Sequence, residues 1–433
     1  MYFVTRCLGA NDEGHLTIGG VDAVELAERF GTPLYVYDEK SIRGHCRAFK
    51  EAIEENYGGH GLPVYASKAF NCLEICRIIK EEGLGIDVVS GGELFTALKA
   101  GFPAEKIYFH GNNKTPDEIT YAVDSGVGRI VVDNYNELRN IKEIASLRGV
   151  TVNVYIRIKP GVDAHTHDFI KTGQIDSKFG FALENGEAFN AVKEIISTDN
   201  VRLAGLHCHI GSQIFEIQPF EFAAVVMLRF IKKIRDELGY EIDELDLGGG
   251  FGIRYAEGDD AKLYKTVMKD VSEVIKKFCS ENQMKLPFML VEPGRAIVGP
   301  GGTTLYTVGS VKEIEDIRTY VAVDGGMSDN PRYALYNAKY TVLIANKVTK
   351  PADTKVTIAG KCCESGDLIQ ENVLIQSPEA GDIAAVCCTG AYNYSMSSNY
   401  NRIPRPAAIM IKDGEPRVII KRETYEDLVR NDI

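Results

Sequence analysis

No stretch of this 433-residue chain approaches the ~20 consecutive apolar residues that a helix needs to cross a bilayer. Basic residues are in deficit: the formal net charge is −12, whereas a duplex-binding protein presents a basic face. That acidity chiefly favours solubility. No His/Cys cluster has the spacing of zinc ligands. The ten cysteines are too sparse and irregular for a disulfide framework. Cys362-Cys363 and Cys387-Cys388 are vicinal, and Cys72 with Cys76 is not a C-x-x-C pair. Free thiols in a reducing, cytoplasmic compartment are expected. Met1 to Asn11 is too short and mixed to predict a signal peptide, and no low-complexity segment or long linker is visible. Neither a G-x-G-x-x-G fingerprint nor a Walker A loop occurs. What remains is ordinary globular material, 45% hydrophobic, enough for one large domain or two with a sizeable core.

From about Leu62 to Arg295 short apolar runs alternate with amphipathic helical stretches. The runs are "PVYAS", "LGIDVVS", "KIYFHGN", "RIVVDN", "VNVYIRI", "LAGLHCHI", "ELDLGGG" and "FMLVEPG". They are continuously hydrophobic and rich in Val and Ile, the pattern of strands covered on both faces. Between them "NCLEICRIIKEE", "GGELFTALKA", "NELRNIKEIASL" and "FAAVVMLRFIKKIRDEL" carry the 3.6-residue period of helices. Ser90-Gly91-Gly92-Glu93 and Asp133-Asn134 supply small polar residues where helices start. Eight such units predict a (β/α)8 barrel, with a doubly wound open sheet as the competitor. After Pro300 strands follow one another with little helix between them, as in "TTLYTVGSVKEI", "TYVAVDGG" and "RVIIKRE". The N-terminal runs "HLTIGG" and "PLYVYDEK" share that character. The predicted organisation is a barrel over residues 38–296 and a discontinuous all-β domain from residues 1–37 and 297–433.

Barrel enzymes carry their chemistry on the loops after the strands, and those loops are polar or glycine-rich here. The first run leads to Lys68, the second contains Asp87, the third ends in His110-Gly111-Asn112-Asn113 and the fifth carries Arg157. The sixth ends in His207-Cys208-His209-Ile210-Gly211-Ser212, the seventh in Gly248, Gly249 and Gly250, and the eighth in Glu292, Pro293, Gly294 and Arg295. A glycine triplet lets backbone N–H groups approach an anion, and the loops after strands seven and eight are where barrels often hold a phosphate; a tight turn is the plainer alternative. Glu292 either pairs with Arg295 or faces a heteroaromatic nitrogen. His209 is either a hydrogen-bonded core residue or a ring lying flat on a planar group. A lysine amine, an anion site, a carboxylate and a stacking ring are together what pyridoxal 5′-phosphate requires. A desolvated lysine at a strand tip would also lose its proton more readily.

These motifs carry a resemblance. "YASKAF", "GLHCHIGSQ", "LDLGGGFG", "EPGRAIVG", "CCESGD" and "GAYNYSMSSNYN" occur in the order found in the fold-type III pyridoxal-phosphate-dependent decarboxylases. The match runs from about Pro33 to Arg405, and "GVDAHTHDFIKTGQIDSKFGF" (Gly161 to Phe181) is similar to the branch acting on diaminopimelate. The resemblance implies Lys68 as the Schiff-base lysine, His209 stacked on the cofactor ring and Glu292 at the pyridine nitrogen. Asp87, Ser212, Gly248 to Gly250, Pro293, Gly294, Arg295 and Tyr392 would complete the cofactor site. Arg295, Arg332, Tyr336, Glu364 and Tyr392 would bind the substrate, and Cys363 would donate the proton. Cys362 beside it is the alternative thiol, although free cysteines are commonly no more than small buried hydrophobes. The implied activity is a carboxy-lyase converting meso-2,6-diaminopimelate to L-lysine and CO2, in a homodimer whose Cys363-Glu364 loop reaches across from the second subunit. Departures from the family's commonest pattern, such as Ala296 after "EPGR", remove none of these residues. The rival readings are a decarboxylase of arginine, ornithine or carboxynorspermidine, a racemase, and a non-catalytic relative; the last predicts loss of Lys68 or Cys363. A metal-dependent barrel hydrolase needs a fuller set of His/Asp ligands than the strand ends offer, so no metal is expected.

Overall fold

The structure, a computed structural model, describes residues 3–162 and 177–433. Most of the "GVDAHTHDFIKTGQIDSKFGF" stretch therefore lies outside the described residues. The chain forms two compact units, one comprising Cys46–Gly252 and Ala261–Gly294, the other Met1–His45, Ile253–Asp260 and Arg295–Ile433.

The first unit is a closed parallel barrel. Its strands are β1 (Gly61–Ala66), β2 (Gly85–Val88), β3 (Ile107–Phe109), β4 (Arg129–Val132), β5 (Val152–Lys159), β6 (Val201–Cys208), β7 (Glu244–Asp246) and β8 (Phe288–Val291). Each pairs with the next, and β8 returns to β1 through Leu290↔Leu62, so no edge remains to be protected. A short added strand, Phe181–Ala182, runs parallel to the end of β5. The expected helices are present. Ser90 caps Gly91–Lys99 by accepting the Glu93 N–H at 3.2 Å, and Asn134 caps Tyr135–Arg148 through the Glu137 N–H at 3.0 Å. Each cap satisfies a donor the helix itself leaves open.

Inside the barrel Val64, Tyr108, Val131, Tyr155, Ala204 and Leu290 form one buried layer contributed by six strands. Its polar members are matched where the strands begin: Glu244 receives Arg129 at 2.6 and 2.9 Å and also the Tyr155 hydroxyl. The interior is thus filled at that end, which leaves the C-terminal ends of the strands for chemistry. Between β3 and β4 lies a second internal pair. Lys114 Nζ bonds the Gly111 and Val131 carbonyls at 2.6 and 2.7 Å and meets Glu137 at 2.9 Å. Its three donors are all used, and both side chains are almost fully buried.

The second unit is built on a large sheet. Its path runs Leu368–Ile375, Thr354–Ala359, Arg318–Val323, Gly302–Ile314, Leu34–Asp38, Ala407–Lys412, Glu415–Ile420, with Ile383–Cys387 and Val342–Ile344 branching from Gly302–Ile314. The N-terminal run "PLYVYDEK" supplies Leu34–Asp38 in its middle, all five residues buried. "HLTIGG" joins a separate three-stranded sheet, Leu8–Ala10, Leu16–Ile18 and Val21–Asp22. The protein is therefore an α/β barrel with a discontinuous β domain. All ten cysteines are free, eight of them buried.

Candidate active site

The C-terminal ends of the barrel strands gather the first group of residues. Ala66 leads into a single 3-10 turn, Ser67–Ala69, pinned by three contacts. The Ala66 N–H donates to Pro293 O at 3.3 Å, the Ser67 N–H to Asp87 at 3.2 Å and the Ser67 hydroxyl to Glu93 at 2.8 Å. Gly294 follows on β8, where a Cβ would come within 2.8 Å of Ala66 Cβ, so only glycine lets the two strand tips approach this closely. Lys68 is exposed, contrary to the expectation of an amine kept from water. Successive side chains of a 3-10 turn point about 120° apart, so Lys68 does not share the burial of Ser67 and Ala69 on either side. Its charge still acts inward. It works to lower the Asp87 and Glu93 carboxyls, both raised mainly by burial, and it depresses His209.

Glu292 is met by histidines rather than by Arg295. His110 Nε2 lies 2.7 Å from one carboxylate oxygen and His207 Nε2 3.3 Å from the other, all three side chains being buried. Burial alone would raise the Glu292 carboxyl, yet these two rings hold it well below the usual carboxylate range. The charge is thus kept where a buried acid would otherwise neutralise. Asp246, at the end of β7, is driven the other way, first by burial and then by the charge of Glu292. His207 is pushed down to about 4, burial being the largest cause, and His209 falls well below its ordinary value through burial and the charges of Lys68 and Arg157. His209 is therefore a neutral ring, and its Nδ1 accepts the Gly249 N–H at 3.3 Å.

The glycine triplet proves to be a packing device as well as a loop. A Cβ on Gly248 would meet Cys208 O at 2.4 Å, on Gly249 Glu292 O at 2.2 Å and on Gly250 Gly211 O at 2.7 Å. Gly248 also has φ +69° and Gly250 φ +115°, a region that disfavours side chains. The Gly248 N–H donates to Asp246 at 2.8 Å and that of Gly249 to His209. Of the three N–H groups, that of Gly250 has no acceptor among the described hydrogen bonds. Ser212 is exposed and Pro293 buried.

Two residues of this group carry no role in the sequence reading, which names His207 only as part of a strand tip and omits Asp246. His207 and Asp246 lie within apolar strand runs, and a carboxylate inside "ELDLGGG" was itself a signal, because a buried acid requires a partner. With His110 and Glu292 they place four potential ligand atoms within 4.8 Å of one another, a grouping that strand-end spacing did not reveal.

The second unit holds the other candidates. Arg332 is buried and donates to Tyr255 and Tyr340 hydroxyls at 3.0 and 3.1 Å. Arg295 donates to the same Tyr255 hydroxyl at 2.6 Å, and its guanidinium carbon lies 4.8 Å from the Tyr392 ring centroid, within cation–π range. Tyr392 has φ +62°, a strained setting for a tyrosine. Tyr336, one turn after Arg332, is exposed, as are Cys363 and Glu364, whereas Cys362 is buried. Asp367 organises its loop: its carboxylate accepts the Cys362 N–H at 2.7 Å and the Met327 N–H at 2.6 Å, tying "CCESGD" to the segment that leads into Arg332. Neither Tyr255 nor Asp367 was singled out in sequence.

A barrel with a lysine after β1, a carboxylate kept ionised after β8 and a neutral histidine after β6 has the chemistry of a pyridoxal enzyme. The family model described as "Pyridoxal-dependent decarboxylase, pyridoxal binding domain" matches residues 39–299. Among curated proteins the chain is similar to diaminopimelate decarboxylases, 51% identical to that of Bacillus methanolicus (95% of each chain) and 49% identical to that of Bacillus subtilis strain 168 (98% of this chain, 96% of the other). Among solved structures, a diaminopimelate decarboxylase from M. jannaschii in co-complex with L-lysine aligns at TM-score 0.94 and 36% identity, covering 100% of this chain and 99% of that one. The chain belongs to the diaminopimelate decarboxylase family of the pyridoxal-dependent decarboxylases.

Proposed function

We propose that this protein converts meso-2,6-diaminopimelate to L-lysine and CO2 with pyridoxal 5′-phosphate, the last step of lysine synthesis. The observation that carries the reading is Glu292, a carboxylate kept charged between His110 and His207 at the barrel mouth, in a chain about half identical to named diaminopimelate decarboxylases. The donor set fits the cofactor. Lys68 would supply the amine that holds its aldehyde, His209 a neutral flat ring, and Asp87, Ser212, Gly248 to Gly250, Pro293, Gly294, Arg295 and Tyr392 would make up its surroundings. When bound, the cofactor supplies an electron sink for the carbanion left by loss of CO2.

The protein's own part is proton placement and orientation. An ionised Glu292 favours a proton on a ring nitrogen set against it. Arg295 and Arg332 take the substrate's distal carboxylate, because guanidinium and carboxylate match as planar forks, with Tyr336, Glu364 and Tyr392 assisting. Cys363 delivers the proton to carbon. Its exposure supports a homodimer in which the Cys363-Glu364 loop serves the partner subunit's site, and the free thiols support a cytoplasmic location.

Incubation with meso-diaminopimelate and added pyridoxal 5′-phosphate should release CO2 and lysine in equal amounts, and Lys68→Ala should abolish both. Arginine, ornithine or carboxynorspermidine turned over faster than diaminopimelate would reassign the substrate. Mixing inactive Lys68→Ala and Cys363→Ala proteins should restore part of the activity if the sites are shared; no restoration would refute that arrangement.

A further inference from the structure

We propose that Tyr255 is the positioning residue that gathers Arg295 and Arg332 into one carboxylate-binding fork for the distal end of the substrate; the proposal rests on the functional reading above. Two guanidinium groups repel each other and, left to themselves, would splay apart. Here both Nη1 atoms donate to a single phenol oxygen, at 2.6 Å from Arg295 and 3.0 Å from Arg332. The two guanidinium carbons lie 5.8 and 5.4 Å from the Tyr255 ring centroid, gathered at its hydroxyl end.

The tyrosine is itself held firmly. It is 6% exposed, its N–H donates to Asp259 at 2.8 Å, and its carbonyl accepts both the Thr341 N–H at 3.1 Å and the Thr341 hydroxyl at 2.9 Å. Its ring stands edge-on to Tyr340, 5.4 Å between centroids and 88° between planes. A phenol oxygen carries two lone pairs, and both are taken up by the arginines. This explains why Ile253–Asp260 clusters with the β unit although the barrel strands flank it in sequence. Tyr340 contacts Arg332 but not Arg295 among the described hydrogen bonds, so it cannot set the spacing of the pair.

Tyr255→Phe keeps the ring and removes only the shared oxygen, so the fold survives the change. The loss of charge-assisted bonds to the fork should raise KM for meso-diaminopimelate about tenfold while kcat stays within about twofold, the split expected of a residue acting on substrate binding. By calorimetry on the holoenzyme, binding of pimelate, a dicarboxylate of the same length without amines, should weaken by a similar factor. Tyr340→Phe should change both by less than about threefold. Wild-type KM and pimelate affinity in Tyr255→Phe, or equal effects of the two variants, would overturn the inference. Failure of the unmodified enzyme to form lysine would instead overturn the functional reading.

Discussion

Replacing Glu137 by glutamine should destabilise the barrel unit severely, and a second change should largely undo the damage. Glu137 and Lys114 are 3% and 1% exposed at their side chains and 2.9 Å apart. The carboxylate also accepts the Lys114 N–H at 2.9 Å and the Asp133 N–H at 3.0 Å. Glutamine keeps one acceptor oxygen but strands the ammonium, and removing one partner of a buried ion pair costs about 3–5 kcal/mol. For a unit of this size that corresponds to a fall of about 6–20 °C in unfolding midpoint. In the double variant Lys114→Met/Glu137→Gln neither side chain of the pair carries a charge, and the loss should shrink to about 1–2 kcal/mol, because the stranded ammonium is gone. The assay is urea and thermal unfolding of the unmodified protein and the two variants by circular dichroism. A double variant no more stable than Glu137→Gln would show that the charge is not what Glu137 offsets. Activity should fall with stability, since Lys114 holds the carbonyl of Gly111, the residue after His110.

Glu292→Gln should retain the fold and lower kcat about 10²–10³-fold, the range for losing one preorganised electrostatic group, as read by lysine release at saturating substrate. His207, held near 4 against about 6.5 unfolded, binds its proton more readily in the unfolded chain; stability should therefore decline as pH falls from about 6.5 to about 4, by up to about 3 kcal/mol. His207→Gln should flatten that slope in urea midpoints taken at several pH values, and an unchanged slope would assign it elsewhere. Gly249→Ala puts a methyl 2.2 Å from Glu292 O, so the tips of β7 and β8 must part. Weaker cofactor binding, measured by absorbance titration, is the expected result; wild-type affinity would mean that the tips yield cheaply.

The barrel was legible because strands covered on both faces must be apolar throughout, and eight such runs stand out between helices. The polar interior was harder to see. His207 and Asp246 sit within those same runs, and only the closing of β6, β7 and β8 around Glu292 explains them. The place of Lys68 after β1 is legible, but its exposure depends on a three-residue turn that composition does not reveal. Tyr255 could not have been anticipated from spacing, for its partners lie 40 and 77 positions away. In sequence the glycine triplet points to an anion, whereas most of its constraint comes from neighbouring carbonyls.

Leu34–Asp38 is made early and partnered late. Its neighbours in the sheet are Gly302–Ile314 and Ala407–Lys412, so during synthesis this five-residue segment, buried throughout in the finished sheet, waits while roughly 260 residues emerge. At ribosomal rates of about 5–20 residues per second the wait is about 13–50 s. The last barrel strand, β8, ends at Val291, only just ahead of Gly302, so the ribbon stays unclaimed for as long as the barrel itself is incomplete, a natural target for a holding chaperone.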